Sequence, residues 1–266
     1  MSATGTIAAR TDGAVLHLTL NRPAQRNAMS LQMVGDLRRA LAAAQASGAV
    51  RVVVLRGAGG HFCAGGDIKD MAAARARPAA PGEDAIADVS TQFGELCADF
   101  ARTPLATVAV LEGTVMGGGF GLACVADIAL ADASVAFRLP EVTLGVVPAQ
   151  IAPYLVERIG VAQARRLAIS GARVDAVEAL AIGLVHAVHA QGELDAALDA
   201  VLRELLHCAP QAVAQTKRLI AGARFAPPAE LIADAAALFS RAVQGPEGAE
   251  GTAAFVAGRK PSWAPA

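Results

Sequence analysis

The sequence predicts an α/β fold with a helical C-terminal region, and three observations carry that prediction. VRVVVLRG and TPLATVAVLEG are short, β-branched, continuously apolar runs stopped by glycine, the pattern of strands covered on both faces. These runs alternate with segments of helical spacing, which places them at the centre of an α/β sheet. From about residue 149 the pattern changes to successive amphipathic helices. The 266 residues are 54% hydrophobic but only 4% aromatic, so the core is built from Ala, Val, Leu and Ile. One elaborated domain accommodates this length, divided into a sheet-containing core over residues 1–200 and a helical region over 201–266.

AVLHLTL alternates Leu16, Leu18 and Leu20 with Val15, His17 and Thr19, the period of a half-buried strand. NRPAQRN follows as a turn. Ser30 is placed to cap a helix carrying Leu31, Val34, Leu37 and Leu41, which Gly48 ends. The next strand, VRVVVLRG, leads through Gly57, Gly59 and Gly60 to CAGGD, where Asp67 can cap another helix. ARARPAAPGED, residues 74–84, combines Pro, Gly and charge and is the expected mobile loop. TPLATVAVLEG leads into GTVMGGGFGLACVADIAL. Further on, Gly160, Gly171 and Gly183 punctuate helices, LVHAVHA reads as a strand, and ELDAALDAVLRELLHCA, PQAVAQTKRLIAGA and PAELIADAAALFSRAV read as amphipathic helices.

Lys plus Arg number 23 against 24 Asp plus Glu, a balance with no field to draw nucleic acid or an anionic membrane. Cys63, Cys97, Cys124 and Cys208 are widely spaced and lack a Cys-x-x-Cys pair, so they read as buried thiols in a reducing compartment. MSATGTIAARTDG has neither the basic start nor the apolar stretch of a secretory leader, and no run approaches a membrane span. A cytoplasmic protein is expected.

The glycines of VMGGGFGLAC are the most informative feature. A phosphate-cradling loop adds a cation or hydroxyl at fixed spacing, and a dinucleotide fingerprint needs G-x-G-x-x-G; Gly117, Gly118, Gly119 and Gly121 satisfy neither. The following FGLACVA is apolar on every side, which predicts a short helix buried in the core. Its first N–H groups lack a Ser, Asp or Asn cap, and the helix dipole there favours negative charge. Glycine at that point serves either close helix packing or the approach of a ligand oxygen. The second glycine turn, at CAGGD, favours the ligand, since two backbone donors from separate turns are what an oxyanion formed on a carbonyl requires.

NRPAQRNAMS, GHFCAGGDIKDM, VLEGTVMGGGFGLACVADIALAD and FRLPEVTLGVVP, in that order and separation, resemble the enoyl-CoA hydratase/isomerase (crotonase) superfamily across nearly the whole chain. Each motif is weak alone; four in register are specific. The resemblance implies a ββα spiral core with a C-terminal helical trimerisation region, assembly as a homotrimer or dimer of trimers, and an acyl-CoA thioester as substrate. CoA belongs to that substrate, and neither a separate cofactor nor a metal is expected. The resemblance also implies an oxyanion hole of two backbone amides, which fall on Ala64 and Gly118, and a substrate-binding surface through Ala64, Gly65, Gly66, Asp67 and Gly118.

Many hydratases of this superfamily use two glutamates. The position of the first is Gly121 here, which cannot do acid–base work; the second is present as Glu141 in LPEVTLG. An apolar setting would raise its pKa and let it exchange protons near neutrality. One carboxyl group can serve hydration of a 2-enoyl-CoA or the shift of a double bond, so a Δ3,Δ2-enoyl-CoA isomerase is the alternative, and a non-catalytic acyl-CoA-binding homologue is a third. RLPEVTLGVVPAQIAPYLVERIG, with PAQIAP after the glutamate, looks closest to hydratases of branched glutaconyl-CoA thioesters of the methylglutaconyl and isohexenylglutaconyl kind. Arg138, Gln150 and Tyr154 flank that segment as solvated or packing residues, or as contacts to a substrate carboxylate.

Arg26 falls on a position lining the CoA groove in the superfamily, and Phe255 on one that packs near the adenine. The lysine usual nearby is replaced by Gly258, leaving Arg259 or Lys260 for that contact. His61 lacks an orienting carboxylate and reads as a loop histidine; His186 and His189 point to opposite faces of a strand, which disfavours a shared metal. Glu112 reads as a turn carboxylate, and Asp67 as the cap that fixes the first glycine turn.

Overall fold

The computed structural model describes residues 5–78 and 82–265. Its main sheet is six-stranded. It contains β1 (Ile7–Asp12), β2 (Val15–Leu20), β3 (Val52–Gly57), β4 (Ala106–Leu111), β6 (Ile128–Asp132) and β9 (Ala187–His189), in the spatial order β1-β2-β3-β4-β6-β9. β1 pairs antiparallel with β2, and every other neighbouring pair is parallel. A second, three-stranded sheet orders β5 (Thr114–Met116), β7 (Ala136–Arg138) and β8 (Arg173–Asp175). The sequence patterns gave β2, β3, β4 and β9 and missed the other five strands. IAARTD is exposed on all but one residue, so it carries no apolar period to read.

Alternate residues of the central strands serve two cores. Leu16, Leu18, Val53 and Leu55 face α1 (Leu31–Ser47), α3 (Ala85–Arg102), α4 (Gly118–Val125) and α5 (Ala152–Ser170). Val15, Val52, Val54 and Val108 face α7 (Leu194–His207) through Leu194, Leu198 and Leu202. Both faces of the sheet are therefore dry, which explains the unbroken apolar runs. Because α7 crosses the expected boundary at 200/201 and belongs to the second core, the helical region proper starts after Cys208. It contains α8 (Pro210–Gly222), α9 (Pro228–Gln244) and α10 (Pro246–Val256).

Local signals place the helix ends. Ser30 Oγ accepts from the Met33 amide at 3.2 Å, and Gly48 closes α1 in the left-handed region at φ +63. Asp67 caps α2 (Ile68–Ala76) by accepting from Lys69 N, and Asp84 caps α3 by accepting from Ile86 N and Ala87 N. The expected mobile loop at 74–84 is thus shorter: residues 74–76 complete α2, Asp84 belongs to a cap, and residues 79–81 lie outside the described residues.

The turn NRPAQRN is pinned by a residue whose role the sequence did not reveal. Asn27 is fully buried, with φ +57. Its Oδ1 accepts from the Arg22 amide at 2.8 Å, and its Nδ2 donates to Ala58 O and His61 O at 2.8 and 2.7 Å. The side chain therefore ties this turn to the glycine loop that precedes CAGGD. Asn27→Ala removes three buried hydrogen bonds and leaves two carbonyls and an amide unpaired, and is expected to destabilise by about 2–4 kcal/mol. Urea unfolding of the two proteins checks this through a shift in midpoint at constant slope.

Candidate active site

The two glycine turns are built as one unit. Cys63 N donates to Thr114 O at 3.0 Å, and Met116 N returns a bond to Cys63 O at 2.9 Å, so FCAGG runs beside β5. A Cβ at Gly119 would lie 2.6 Å from Cys63 Cβ, so only glycine permits this approach. Gly117 sits at φ +49, ψ −120 and turns β5 into α4. There a Cβ would come within 3.1 Å of Glu141 Oε1 and 3.4 Å of Gly65 Cα. Gly117 is the point at which the two turns and the carboxyl group meet.

α4 is the buried apolar helix the sequence predicts, with every residue from Gly119 to Val125 buried. Its N-terminus has no side-chain cap. Gly118 opens the first turn, where N–H groups have no partner within the helix. At the opposite end, Arg158 donates to Cys124 O at 3.0 Å and also to Ala123 O and Ala126 O, so a side chain satisfies the carbonyl end of the helix, whereas the amide end has no such cap.

On the first turn the structure corrects the sequence. The Ala64 amide donates to Arg26 O at 2.9 Å, so it is committed within the protein and is not free to hold an oxyanion. The Gly65 amide faces Cys63 Sγ at 3.4 Å. Two residues after Ala64, the Gly66 amide has no hydrogen-bond partner among the described residues, while its neighbours on either side bond to Met29. Gly65, which precedes it, is left-handed at φ +102. The Gly-Gly pair was the available signal: the first glycine supplies the left-handed twist and the second carries the unpartnered amide.

Gly66, Gly118 and Glu141 line one cavity of about 480 Å³. Its wall is otherwise largely apolar and includes Met29, Met71, Val89, Phe93, Val146 and Val147. Glu141 begins the short 3-10 turn Glu141–Leu144 after Pro140. Its Oε2 is buried without a hydrogen-bond partner, and burial pushes the carboxyl above its ordinary 4.5. A raised carboxyl pKa means the folded state retains the proton longer than the unfolded chain does. Stability from this group is complete below about 4.5 and is lost as pH rises through the folded value. At neutral pH Glu141→Gln is accordingly expected to melt no lower than the parent, and thermal unfolding at pH 7 and pH 5 tests it, the gap narrowing at the lower pH.

The remaining sequence-derived residues divide clearly. Asp67 lines the cavity wall and binds Arg22 at 2.7 Å; burial alone would raise its carboxyl, but the Lys69 amide and then Arg22 outweigh this and hold it low. It is therefore an ionised cap, as expected. Arg26 is exposed with φ +47 and contributes its carbonyl to Ala64; it does not line the cavity. Phe255, on α10, is 86% exposed and also stands outside it. Gln150 reaches the wall and donates to Ser90 Oγ at 3.2 Å. Arg138 instead donates to Gly171 O, and Tyr154 lines a different cavity beside Arg158. His61 Nδ1 accepts from Thr114 N, His186 Nδ1 accepts from Ala129 N, and Glu112 pairs with Arg56 at 2.7 Å. No cluster of metal-ligating side chains occurs among the described residues.

Two amide-bearing glycine turns facing one buried carboxyl group, carried by a parallel sheet with a spiral of helices, define a crotonase-fold protein. The chain matches the family described as enoyl-CoA hydratase/isomerase over residues 10–265 and belongs to it. An enoyl-CoA hydratase/isomerase from Marinobacter aquaeolei has a solved structure that superposes with a TM-score of 0.95 at 48% identity, covering 98% of this chain and 99% of that one. Pseudomonas aeruginosa AtuE gives 0.93 at 52% identity, covering 98% and 100%. Among curated relatives, the enoyl-CoA hydratase ACTT6 of Alternaria alternata is 33% identical over 208 residues, 77% of this chain but 65% of that protein's length.

Proposed function

We propose that the protein adds water across the double bond of a 2-enoyl-CoA thioester. The observation that carries this is the unpaired Glu141 Oε2 in the cavity lined by Gly66 and Gly118, whose amides we assign as the donors. The thioester oxygen accepts from both amides, and the positive end of α4 draws electrons toward it. The third carbon becomes electrophilic. Ionised Glu141 takes a proton from water as the water oxygen bonds to that carbon, and the enolate charge rests on the thioester oxygen. The protonated carboxyl then returns its proton to the second carbon, which restores the carbonyl and the ionised base.

A branched acyl group, of the methylglutaconyl or isohexenylglutaconyl kind, is the finer form of this proposal, and the large apolar cavity supports it. Isomerisation of a 3-enoyl-CoA is favoured by one specific observation: Gly121 supplies no second acid, and of the carboxyl groups on the cavity wall Asp67 is held by Arg22 and Asp70 by the Leu31 amide, which leaves Glu141 as the one with an unpartnered oxygen. Incubating matched 2-enoyl and 3-enoyl thioesters in H₂¹⁸O separates the two. Label at the third carbon of a 3-hydroxyacyl product supports hydration, whereas bond migration without label overturns it in favour of isomerisation. Loss of both, with acyl-CoA still bound, indicates a binding protein.

We also propose a homotrimer or dimer of trimers. None of the 17 residues of α9 is buried, and Ile232 and Phe239 are 67% and 72% exposed, an apolar face that suits further copies of the chain. Such neighbours would also supply the contacts to the CoA adenine and phosphates assigned to Phe255 and to Arg259 or Lys260. Cys63, Cys97 and Cys124 are buried, whereas Cys208, expected to be buried, is exposed at the end of α7; the thiols of Cys63 and Cys124, pushed up to about 11 and about 12 by burial, fit a reducing, cytoplasmic setting. No helix among the described residues is long and apolar enough to cross a membrane.

A further inference from the structure

We infer that Arg22 is a positioning residue of the oxyanion site, which orients and strengthens the Gly66 amide through two intervening peptide groups. This rests on the hydratase proposal, in which the Gly66 amide is one of the two donors, and adds a residue to the same site. Arg22 lies two residues beyond β2 and does not line the cavity. Its Nη1 donates to Ala28 O, and its Nη2 donates to Asp67 Oδ2 at 2.7 Å. The Arg22 and Asp67 side chains are only 21% and 11% exposed, so the guanidinium is held between a carbonyl and a carboxylate with little water around it.

Beyond Ala28 O the peptide groups form a continuous chain. In a trans peptide, the carbonyl and the following N–H point in opposite directions, and the peptides here are trans. The peptide that offers Ala28 O to Arg22 therefore presents Met29 N–H on its other side, and Met29 N donates to Gly65 O at 2.7 Å. The peptide that offers Gly65 O in turn presents Gly66 N–H on its far side, the amide without a partner among the described residues. Asp67 N returns a bond to Met29 O at 2.9 Å, so Gly66 is bracketed on both sides in a parallel bridge to Met29. Turning the Gly66 amide off this line breaks the bond to Met29.

A cation at the head of the chain also changes the donor at its end. The first bond is charge-assisted and about twice as strong as a neutral one, and hydrogen bonds in series polarise one another by roughly 10–30% each. Electron density is drawn from Gly66 N–H toward Arg22, which makes the amide a better donor to a negative oxygen. Arg22 also neutralises Asp67, which lines the cavity one residue from the donor. Unpaired, that carboxylate opposes charge on the thioester oxygen.

The infrared stretch of a thioester carbonyl falls as hydrogen bonds to its oxygen strengthen, so it reads the donors directly. The test binds a saturated acyl-CoA carrying ¹³C at that carbonyl to the full-length protein, Arg22→Gln and Arg22→Lys, and measures 2-enoyl-CoA turnover in parallel. Arg22→Gln is expected to return the stretch part of the way toward that of the free thioester. Its kcat is expected to fall about tenfold, less than the 10²–10³ of losing an oxyanion donor outright, with KM within a fewfold of the parent. Arg22→Lys keeps the charge without the fork and is expected to lie between the two in both readings. A residue that only staples the turn predicts a lower melting temperature with the carbonyl stretch unmoved. That result, or parental kcat in Arg22→Gln, overturns the inference. Where Arg22→Gln does not fold, Arg22→Lys decides, because one ammonium cannot reproduce the fork and a stretch equal to the parent's overturns it equally. If no enoyl-CoA turns over, the hydratase proposal fails, yet the carbonyl shift in the parent and its loss in Arg22→Gln still decide the role of Arg22.

Discussion

Glu141→Gln is expected to lower kcat by about three to four orders of magnitude, with the apparent affinity for acyl-CoA within a fewfold of the parent. Glutamine preserves the volume and packing of the side chain after Pro140, and the Gly66 and Gly118 amides are untouched. What disappears is the carboxyl group proposed to take and return a proton, a function worth about 10²–10⁴ in rate; the upper end applies because Gly121 provides no substitute and the Asp67 and Asp70 carboxylates on the same wall are engaged by Arg22 and the Leu31 amide. A thousandfold loss corresponds to about 4 kcal/mol of transition-state stabilisation. The pH profile supplies an independent check. Burial raises the Glu141 carboxyl and hydration needs its ionised form, so parent kcat/KM is expected to fall with decreasing pH around a midpoint above 4.5. That acid limb vanishes in Glu141→Gln. A variant with parental kcat, or one that retains the limb, shows that another group moves the proton.

Much of this site was legible before any coordinates. The four motifs in register gave the fold family, and the absence of a polar cap before FGLACVA predicted a buried helix with free amides. The retained LPE glutamate lies at the junction that Gly117 creates. These features are local: cap chemistry, glycine tolerance and apolar runs are written in consecutive residues. The strand patterns succeeded for the same reason where both faces are buried, and failed for β1, whose exposed residues leave no period to detect.

What the sequence withheld depends on contacts between distant segments. Ala64 and Gly66 are equally plausible amide donors from composition alone. Only the carbonyl of Arg26, 38 residues earlier, occupies one and leaves the other free. Phe93 has the same history: nothing in VSTQFGEL indicates that its ring lies over Gly118 and Gly121, since α3 and α4 meet only in the folded chain. Asn27 looked like a turn residue, and its burial by Ala58 and His61 is a tertiary fact. Sequence reading therefore reached the CAGGD turn, while the tertiary hydrogen bond from Ala64 N to Arg26 O distinguishes its amides from one another.

Gly118→Pro is expected to cost about 10²–10³ in kcat, the range for loss of one oxyanion donor, while the protein stays folded. Proline is tolerated at the first helical position, because the N–H it lacks has no partner within the helix and its φ suits the first turn. Gly118 occupies that position in α4, following Gly117. The substitution thus deletes the amide proposed to hold the thioester oxygen and keeps the helix. Its ring carbon at the Cβ position meets Phe93 at 3.2 Å, a contact relieved by a small shift of that ring. Gly118→Ala is the control, since it introduces the same Cβ and retains the amide. If the alanine variant keeps most of the parental rate and the proline variant does not, the loss belongs to the N–H group. Equal losses in both, with circular dichroism and melting temperature unchanged, would mean that space beside Phe93 matters and the amide does not, and the oxyanion assignment at Gly118 would have to be withdrawn.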